Sequence, residues 1–170
     1  MSYIKGTLHN HTSVSDGDSS PRKAAEYYKK LGYDFMVFTD HKINYPVNEY
    51  VREIKDFLCI SGIESEYHMN NYFNNMTDIH LCGLGFVGDY IPPKGADSIS
   101  EMIDSIIDEF RRFDAVPMVN HPNWGGTRHG YSFNYTELQK VRNPFLMEIV
   151  NYSDGGYNEG NEAFESVEYI

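Results

Sequence analysis

Two histidines separated by a single residue, His9 and His11, are the first side chains in the sequence that are suited to chemistry. On an extended backbone, side chains two positions apart project from the same face, so both imidazoles can reach one cation. Asp16 follows, with Gly17 behind it where the chain is expected to turn. Imidazole and carboxylate groups at this spacing indicate a candidate metal site, although a His-x-His pair alone is also common on protein surfaces.

Further histidines and one glutamate stand at the ends of later apolar segments or within them. They are His41, Glu64, His80 and His121. Taken one at a time, each has a simpler explanation as a helix-start residue, a surface carboxylate or a hydrogen-bonded core histidine. Taken together, buried charges and imidazoles on facing strands are unfavourable unless a cation compensates them. We therefore interpret the whole set as ligands of bound metal.

The elements that position these residues are predicted from alternating apolar runs and helical patterns. Strands are expected at 3–8, 35–38, 59–63, 78–84, 115–119 and 145–150. Helices are expected at 21–31, after Asn48 to about 58, after a Ser98–Glu101 capping box, at 136–140 and from about 158. The asparagine-rich stretch 67–77 is predicted to be a loop or an irregular hairpin.

Strands that alternate with helices favour an α/β fold built from parallel βα units, as a barrel or an open sheet. Candidate ligands at successive strand ends favour the barrel, because βα-barrels gather their chemistry at the C-terminal ends of the strands. A length of 170 residues with 41% hydrophobic content predicts one domain, residues 1–170.

Charge and composition exclude several classes of protein. The net charge is −11 and the basic residues form no stripe, so long nucleic acid is a poor partner. Bound divalent ions can still reverse the charge locally and admit a small phosphate. Cys59 and Cys82 lie in apolar runs and are expected to be reduced thiols. The N-terminus has no apolar leader and no stretch is long enough to span a membrane, so a cytoplasmic protein is expected.

The order and spacing of these motifs resemble the PHP (polymerase and histidinol phosphatase) family over nearly the whole chain. The matching motifs are His9-Asn10-His11-Thr12, Ser15-Asp16-Gly17, Thr39-Asp40-His41, Gly62-Ile63-Glu64, His80 and Asn120-His121-Pro122. The resemblance implies a distorted seven-stranded βα-barrel and a phosphoesterase with two or three divalent ions. It implies that His9, His11 and Glu64 hold one ion, Glu64, His80 and His121 a second, and Asp16 with His41 a third.

One element of the family pattern is missing. Family members close with an Asp-x-His on the last strand, and no such pair follows His121 in this sequence. The barrel is therefore expected to lack its last strand. The domain is expected to be C-terminally incomplete: a fragment, a naturally shortened member, or a barrel completed by another chain.

The function expected from the sequence is metal-dependent hydrolysis of phosphate esters by a metal-bridged hydroxide. Glu64, His121 and Asp16 are the expected catalytic residues, with Zn, Mn or Fe as the ion and a small phosphorylated compound as the substrate. Arg128 and His129, in a glycine-rich loop, are candidate substrate-binding residues, with a solvated loop as the alternative. Asp40 is expected either to orient His41 or to cap the next helix.

Two other functions are compatible with the sequence. A catalytically impaired PHP-like module would bind metal or serve a structural role, which the missing Asp-x-His favours. An amidohydrolase-like metallohydrolase also uses His-x-His on a first barrel strand. Such an enzyme usually needs a carboxylated lysine, and no predicted strand here ends in lysine.

Overall fold

A computed structural model gives the fold of the chain. It describes residues 3–43, 47, 51, 53–70, 76–122, 135–151 and 164–165. Within these ranges, none of the helices combines the length and the apolar character needed to cross a lipid bilayer.

The secondary structure consists of short strands and three helices in the described part of the chain. The strands are β1 (Gly6–Thr7), β2 (Phe35–Val37), β3 (Leu58–Ile60), β4 (Gly62–Asn70), β5 (Met76–Leu84), β6 (Val116–Val119), β7 (Leu146–Met147), β8 (Val150–Asn151) and β9 (Phe164–Glu165). The helices are α1 (Pro21–Lys30), α2 (Ile99–Arg112) and α3 (Tyr135–Leu138).

The chain divides into two compact units. Unit 1 contains Met1–Glu64, Cys82–Ile91 and Phe110–Val116. Unit 2 contains Ser65–Leu81, Pro92–Glu109 and Pro117–Ile170.

Unit 1 contains a parallel sheet with the strand order β1-β2-β3. The helix α1 connects β1 to β2, as predicted. It begins with Pro21, whose fixed φ suits the first helical position, and ends before Gly32, which has a φ of 79°. Ala24 and Ala25 face the core, where they are buried with Met36 and Phe38. This packing holds the end of β2 in place.

The helix predicted after Asn48 is wrong for the part of it that the structure describes. Ile54 and Phe57 form an isolated antiparallel bridge, and Leu58 already belongs to β3. Val51, Ile54 and Phe57 are nevertheless buried in the core of unit 1. Their apolar spacing therefore indicates that these side chains are buried. A turn buries them here as well as a helix would.

The third predicted strand, 59–63, is in fact the junction of two strands. β3 ends at Ile60, and β4 begins at Gly62. A Cβ at Gly62 would lie 2.8 Å from Phe38 O, so only glycine fits where the chain passes from β3 to β4. Glu64 consequently lies near the start of a long strand and not at the end of a short one.

β4 and β5 form a hairpin, so the prediction of parallel βα units throughout is wrong. The two strands are neighbours in a sheet of order β4-β5-β6-β7, and only residues 71–75 separate them. Such a short connection requires an antiparallel pair, because a parallel crossover needs a dozen or more residues. β6 and β7 are parallel, and this sheet is therefore mixed.

The hairpin alternative for 67–77 agrees with the described part of that segment. β4 continues to Asn70 and β5 starts at Met76. Within unit 2, His68 Nδ1 lies 2.5 Å from Asp78 Oδ1 and His68 Nε2 lies 3.2 Å from Glu66 Oε1. His68 thus joins the two strands of the hairpin.

α2 is capped close to the predicted form. The Glu101 N–H donates to Ser98 Oγ at 3.3 Å, and the Glu101 carboxylate accepts from the N–H of Asp97 at 3.0 Å. The predicted apolar stripe is buried along its length. Its members are Ile99, Met102, Ile103, Ile106, Ile107 and Phe110.

The C-terminal predictions are only partly correct. The strand predicted at 145–150 is two short strands, β7 and β8. Phe164, predicted to be helical, pairs with Asn151 in an antiparallel β8-β9 ladder. The remainder of the helix predicted from about 158 lies outside the described residues.

The fold class is α/β with parallel and mixed sheets. The described strands form three separate sheets and no closed barrel. Cys59 and Cys82 are free thiols, as predicted. Burial raises the pKa of the Cys59 thiol, an effect that the charge of Arg22 only partly offsets, so this group stays protonated near neutral pH.

Candidate metal centre

Asn10 fixes the backbone between the two histidines of the first motif. Its N–H donates to Thr39 Oγ1 at 2.9 Å, and its side-chain amide donates to Val37 O at 2.9 Å. These bonds tie the segment after β1 to the end of β2 through a buried side chain. Because both the backbone N–H and the side chain of Asn10 are held, the backbone that carries His9 and His11 is fixed on either side of it.

His9, His11 and Glu64 come together in unit 1, as the sequence predicts for one ion. His9 Nε2 lies 3.0 Å from His11 Nε2 and 3.2 Å from Glu64 Oε1. His11 Nε2 lies 3.1 Å from Glu64 Oε2. Ligand atoms at about 2.0–2.1 Å from a shared ion stand roughly 3–3.5 Å from one another, which is the spacing observed. Glu64 is fully buried among these rings.

His41 approaches the same carboxylate from the end of β2. Its Nδ1 lies 3.1 Å from Glu64 Oε2, and its ring centroid is 4.4 Å from that of His11. A parallel bridge between His41 and Glu64 aligns their backbones, and the Lys42 N–H donates to Glu64 O at 2.8 Å. Backbone pairing thus sets the position of both side chains.

Asp16 closes a second group of possible ligands in unit 1. Its Oδ1 lies 3.2 Å from His11 Nδ1, and its Oδ2 lies 3.5 Å from His41 Nε2. The resemblance pairs Asp16 with His41, and the structure adds His11 to them. His11 therefore faces both groups, one through each ring nitrogen.

The arrangement fits divalent metal ions. His11 Nδ1 is buried and makes no hydrogen bond to any residue in the described ranges, although a carboxylate oxygen stands nearby. In each of the two groups, the candidate ligand atoms lie within 4.8 Å of one another. Imidazole nitrogens and carboxylate oxygens that converge in this way are unfavourable by themselves and are compensated by a cation.

Unit 2 brings His80 and His121 together. Both side chains are buried, and their ring centroids are 5.2 Å apart in a nearly perpendicular arrangement. The Asn120 N–H donates to His80 O at 3.0 Å, which couples β5 to the end of β6. The prediction that these two histidines contribute to an ion together with Glu64 stays a prediction.

His121 also has an unusual backbone. Its backbone φ angle is 22°, a value that residues other than glycine rarely adopt. The His121 N–H donates to Glu148 Oε2 at 3.0 Å, and the Glu148 N–H donates to Val119 O at 2.9 Å. Glu148 therefore holds the residue after β6 in its strained conformation. The hydrogen bond between Glu148 and the His121 backbone is not among the predictions from the sequence.

Two predicted sites differ in how far the structure describes them. Arg128 and His129, the candidate substrate-binding residues, lie outside the described residues. Asp40 is buried and accepts hydrogen bonds from Thr12 and Ser15, a role that neither alternative predicted from the sequence included.

Comparison with known proteins gives a partial sequence match and similarities to solved structures. No family model matches the chain. A stretch of 41 residues, 24% of the chain, is 49% identical to the DNA polymerase/3'-5' exonuclease PolX of Bacillus subtilis and spans 7% of that protein.

Among solved structures, the chain is similar to a predicted metal-dependent phosphoesterase from Bifidobacterium adolescentis. The TM-score is 0.53 at 14% identity, over 81% of this chain and 73% of that one. It is also similar to a two-domain protein from Bacteroides vulgatus containing a predicted PHP-like metal-dependent phosphoesterase. That TM-score is 0.46 at 19% identity, over 74% of this chain and 37% of the other.

The similarity to the Bifidobacterium protein shows a shared fold, and that protein is named for the phosphoesterase class that the motifs indicate.

Proposed function

We propose that the chain is a metal-dependent phosphoesterase of the PHP type that hydrolyses small phosphate esters. The observation that carries the proposal is the convergence of His9, His11 and His41 on the buried carboxylate of Glu64. A fully buried glutamate facing several imidazole nitrogens has the chemistry of a metal ligand. The fold shared with a predicted metal-dependent phosphoesterase supports the same conclusion.

Different residues of this chain are proposed to hold different ions. His9, His11 and Glu64 would hold one ion, and Asp16 and His41 would hold another, with His11 Nδ1 beside the second ion. His11 would ligate both ions only as an imidazolate that has lost its ring proton. His80 and His121 contribute to an ion in the manner that the resemblance implies. Zn, Mn or Fe suits this mixture of ligands. Bound divalent ions supply an acidified water and neutralise charge on the phosphoryl oxygens.

The substrate is proposed to be small. The net charge of −11 opposes long polyanions, whereas ions held at the candidate centre attract a single phosphate group. Arg128 and His129 remain proposed contacts for that phosphate. A distorted βα-barrel that carries the ions, in a cytoplasmic protein, belongs to the same proposal.

Phosphate release from a panel of small phosphomonoesters and nucleotides, with Mn²⁺, Zn²⁺ or Fe²⁺ added, tests the function. The wild type is expected to turn over at least one substrate. Glu64→Ala and His121→Ala should each lower the rate of phosphate release by at least about 100-fold. Substituting a residue that only supports a metal ligand already lowers activity by roughly 10–100-fold. Asp104→Asn replaces a buried carboxylate bound to Arg142 in unit 2 and serves as the matched control.

Three outcomes would contradict the proposal. Wild-type rates in both alanine variants would remove the metal centre from the reaction. Hydrolysis of cyclic amides or esters without phosphate release would favour the amidohydrolase-like alternative. Tight, stoichiometric metal without turnover on the whole panel would favour a binding or structural module.

A further inference from the structure

Asp40 is the acceptor for a dense set of hydrogen bonds in unit 1. The Thr12 N–H donates to its Oδ1 at 2.7 Å, and the Ser15 hydroxyl donates to the same oxygen at 2.7 Å. The Ser15 N–H lies 3.2 Å from Oδ1, and the Thr12 hydroxyl lies 3.0 Å from Oδ2. The side chain of Asp40 is fully buried. One carboxylate thus gathers both N–H groups and both hydroxyls of Thr12 and Ser15.

These donors belong to the turn that carries Asp16. The Ser15 and Gly17 N–H groups donate to Thr12 O at 3.1 and 2.8 Å, which closes the turn on both sides of Asp16. The Asp16 side chain is 65% exposed. Packing alone does not fix so exposed a carboxylate, and Ser15 Oγ lies 3.2 Å from Asp16 Oδ1. The position of Asp16 therefore depends on the turn that carries both residues.

We propose that Asp40 is a positioning residue for the ion held by Asp16 and His41. Its buried carboxylate fixes the turn at Thr12 and Ser15, and the turn presents Asp16 to the imidazoles of His11 and His41. This inference rests on the proposed function, because it requires that the centre binds metal.

The proposal separates two neighbouring ions, one held at Glu64 and one held at Asp16. The group of His9, His11 and Glu64 contains no residue of the turn between Thr12 and Gly17. Its ligands are placed by Asn10 and by backbone pairing in β4. Loss of the Asp40 carboxylate should therefore weaken the ion at Asp16 and leave the ion at Glu64 bound.

A competition titration of the full chain with Mn²⁺ and Zn²⁺ against a chromophoric chelator tests this separation. The wild type should show at least two phases, one for the ion at Glu64 and one for the ion at Asp16, and Asp16→Asn should identify the phase that depends on Asp16. Asp40→Asn should weaken that same phase by about 10-fold or more and leave the other unchanged. Asp104→Asn, which removes another buried carboxylate bound by backbone N–H groups, should leave both phases unchanged.

A second variant tests whether Asp40 acts through the turn. Thr12→Val removes the hydroxyl that donates to Asp40 Oδ2 and should weaken the Asp16 phase by a smaller factor. The double variant with Asp40→Asn should bind no more weakly than Asp40→Asn alone, because both changes remove the same hydrogen bond. If Asp40→Asn fails to fold, Thr12→Val carries the test alone.

The proposal is overturned if Asp40→Asn binds both ions as the wild type does, if it weakens both phases equally, or if the two substitutions are additive. It is also overturned if Asp16→Asn changes neither phase. Failure of the proposed function has a different signature, in which the wild type binds no ion or binds ions without releasing phosphate from any substrate.

Discussion

Two buried carboxylates in unit 1, those of Asp40 and Glu64, differ in what surrounds them. Both side chains are inaccessible to solvent. Asp40 accepts hydrogen bonds from N–H and O–H groups of Thr12 and Ser15. Glu64 instead faces ring nitrogens of His9, His11 and His41. Asp40 and Glu64 are both buried acidic residues, so residue type and burial do not distinguish them. The atoms that surround each carboxylate do.

The difference separates a structural acid from a ligand. Hydrogen bonds to a charged acceptor compensate the cost of burying it, so Asp40 stabilises the fold without an ion. Imidazole nitrogens compensate Glu64 well only when protonated or when a cation lies between them. We therefore expect the Asp40 region to be stable by itself and the Glu64 region to be stabilised by metal.

The largest expected effect that tests this comparison is on the stability of the metal-free protein. Asp40→Ala leaves the N–H groups of Thr12 and Ser15 without their acceptor and should lower the free energy of unfolding by about 3 kcal/mol. Glu64→Gln should change it by less than about 1 kcal/mol, because it removes a buried charge that no ion compensates. Urea unfolding in the presence of a chelator measures both. Equal losses of unfolding free energy in the two variants would contradict the distinction between a structural acid and a metal ligand.

A smaller effect is expected from Gly17→Ala. A Cβ at Gly17 would lie 2.5 Å from His11 O and 2.8 Å from Thr12 N, which are backbone atoms that cannot give way without moving the turn. The variant should lose about 1–3 kcal/mol of stability and bind the ion at Asp16 more weakly. Unfolding and metal titration on the same samples give both values.

Gly32→Ala is the matched control for that glycine. Gly32 has open space around it and a φ of 79°, so alanine should cost about 1 kcal/mol through strain alone and leave metal binding unchanged. If Gly17→Ala behaves as Gly32→Ala does, the turn does not need the close approach at Gly17.

Much of the candidate centre could be predicted because strand geometry is local. The alternation at His9 and His11 predicted convergence, and the structure shows the mechanism in the buried Asn10 between them. Asp16 and His41 lie within a few ångströms of each other, as their assignment to one ion implied. The donors to Asp40 could not be predicted, because sequence spacing does not say which hydroxyls of a distant turn reach a given carboxylate.

Two segments show why the fold could be predicted only in part. Residues 67–77 are polar and asparagine-rich, which left a loop and an irregular hairpin as alternatives, and β4 extends to Asn70 because pairing with β5 satisfies its backbone. Ile54 and Phe57 have helical spacing but lie in a turn against the core of unit 1. In both places, tertiary contacts determine the structure of a segment whose local pattern does not determine it.

The most direct test of the central claim is a thermal or urea unfolding titration of the wild type and Glu64→Gln with Mn²⁺ or Zn²⁺. If Glu64 is the main ligand of a metal centre, ion at about 100 times its dissociation constant should stabilise the wild type by about 2.7 kcal/mol. At the same concentration Glu64→Gln should gain far less. An equal gain in both proteins, or none in the wild type, would contradict the account.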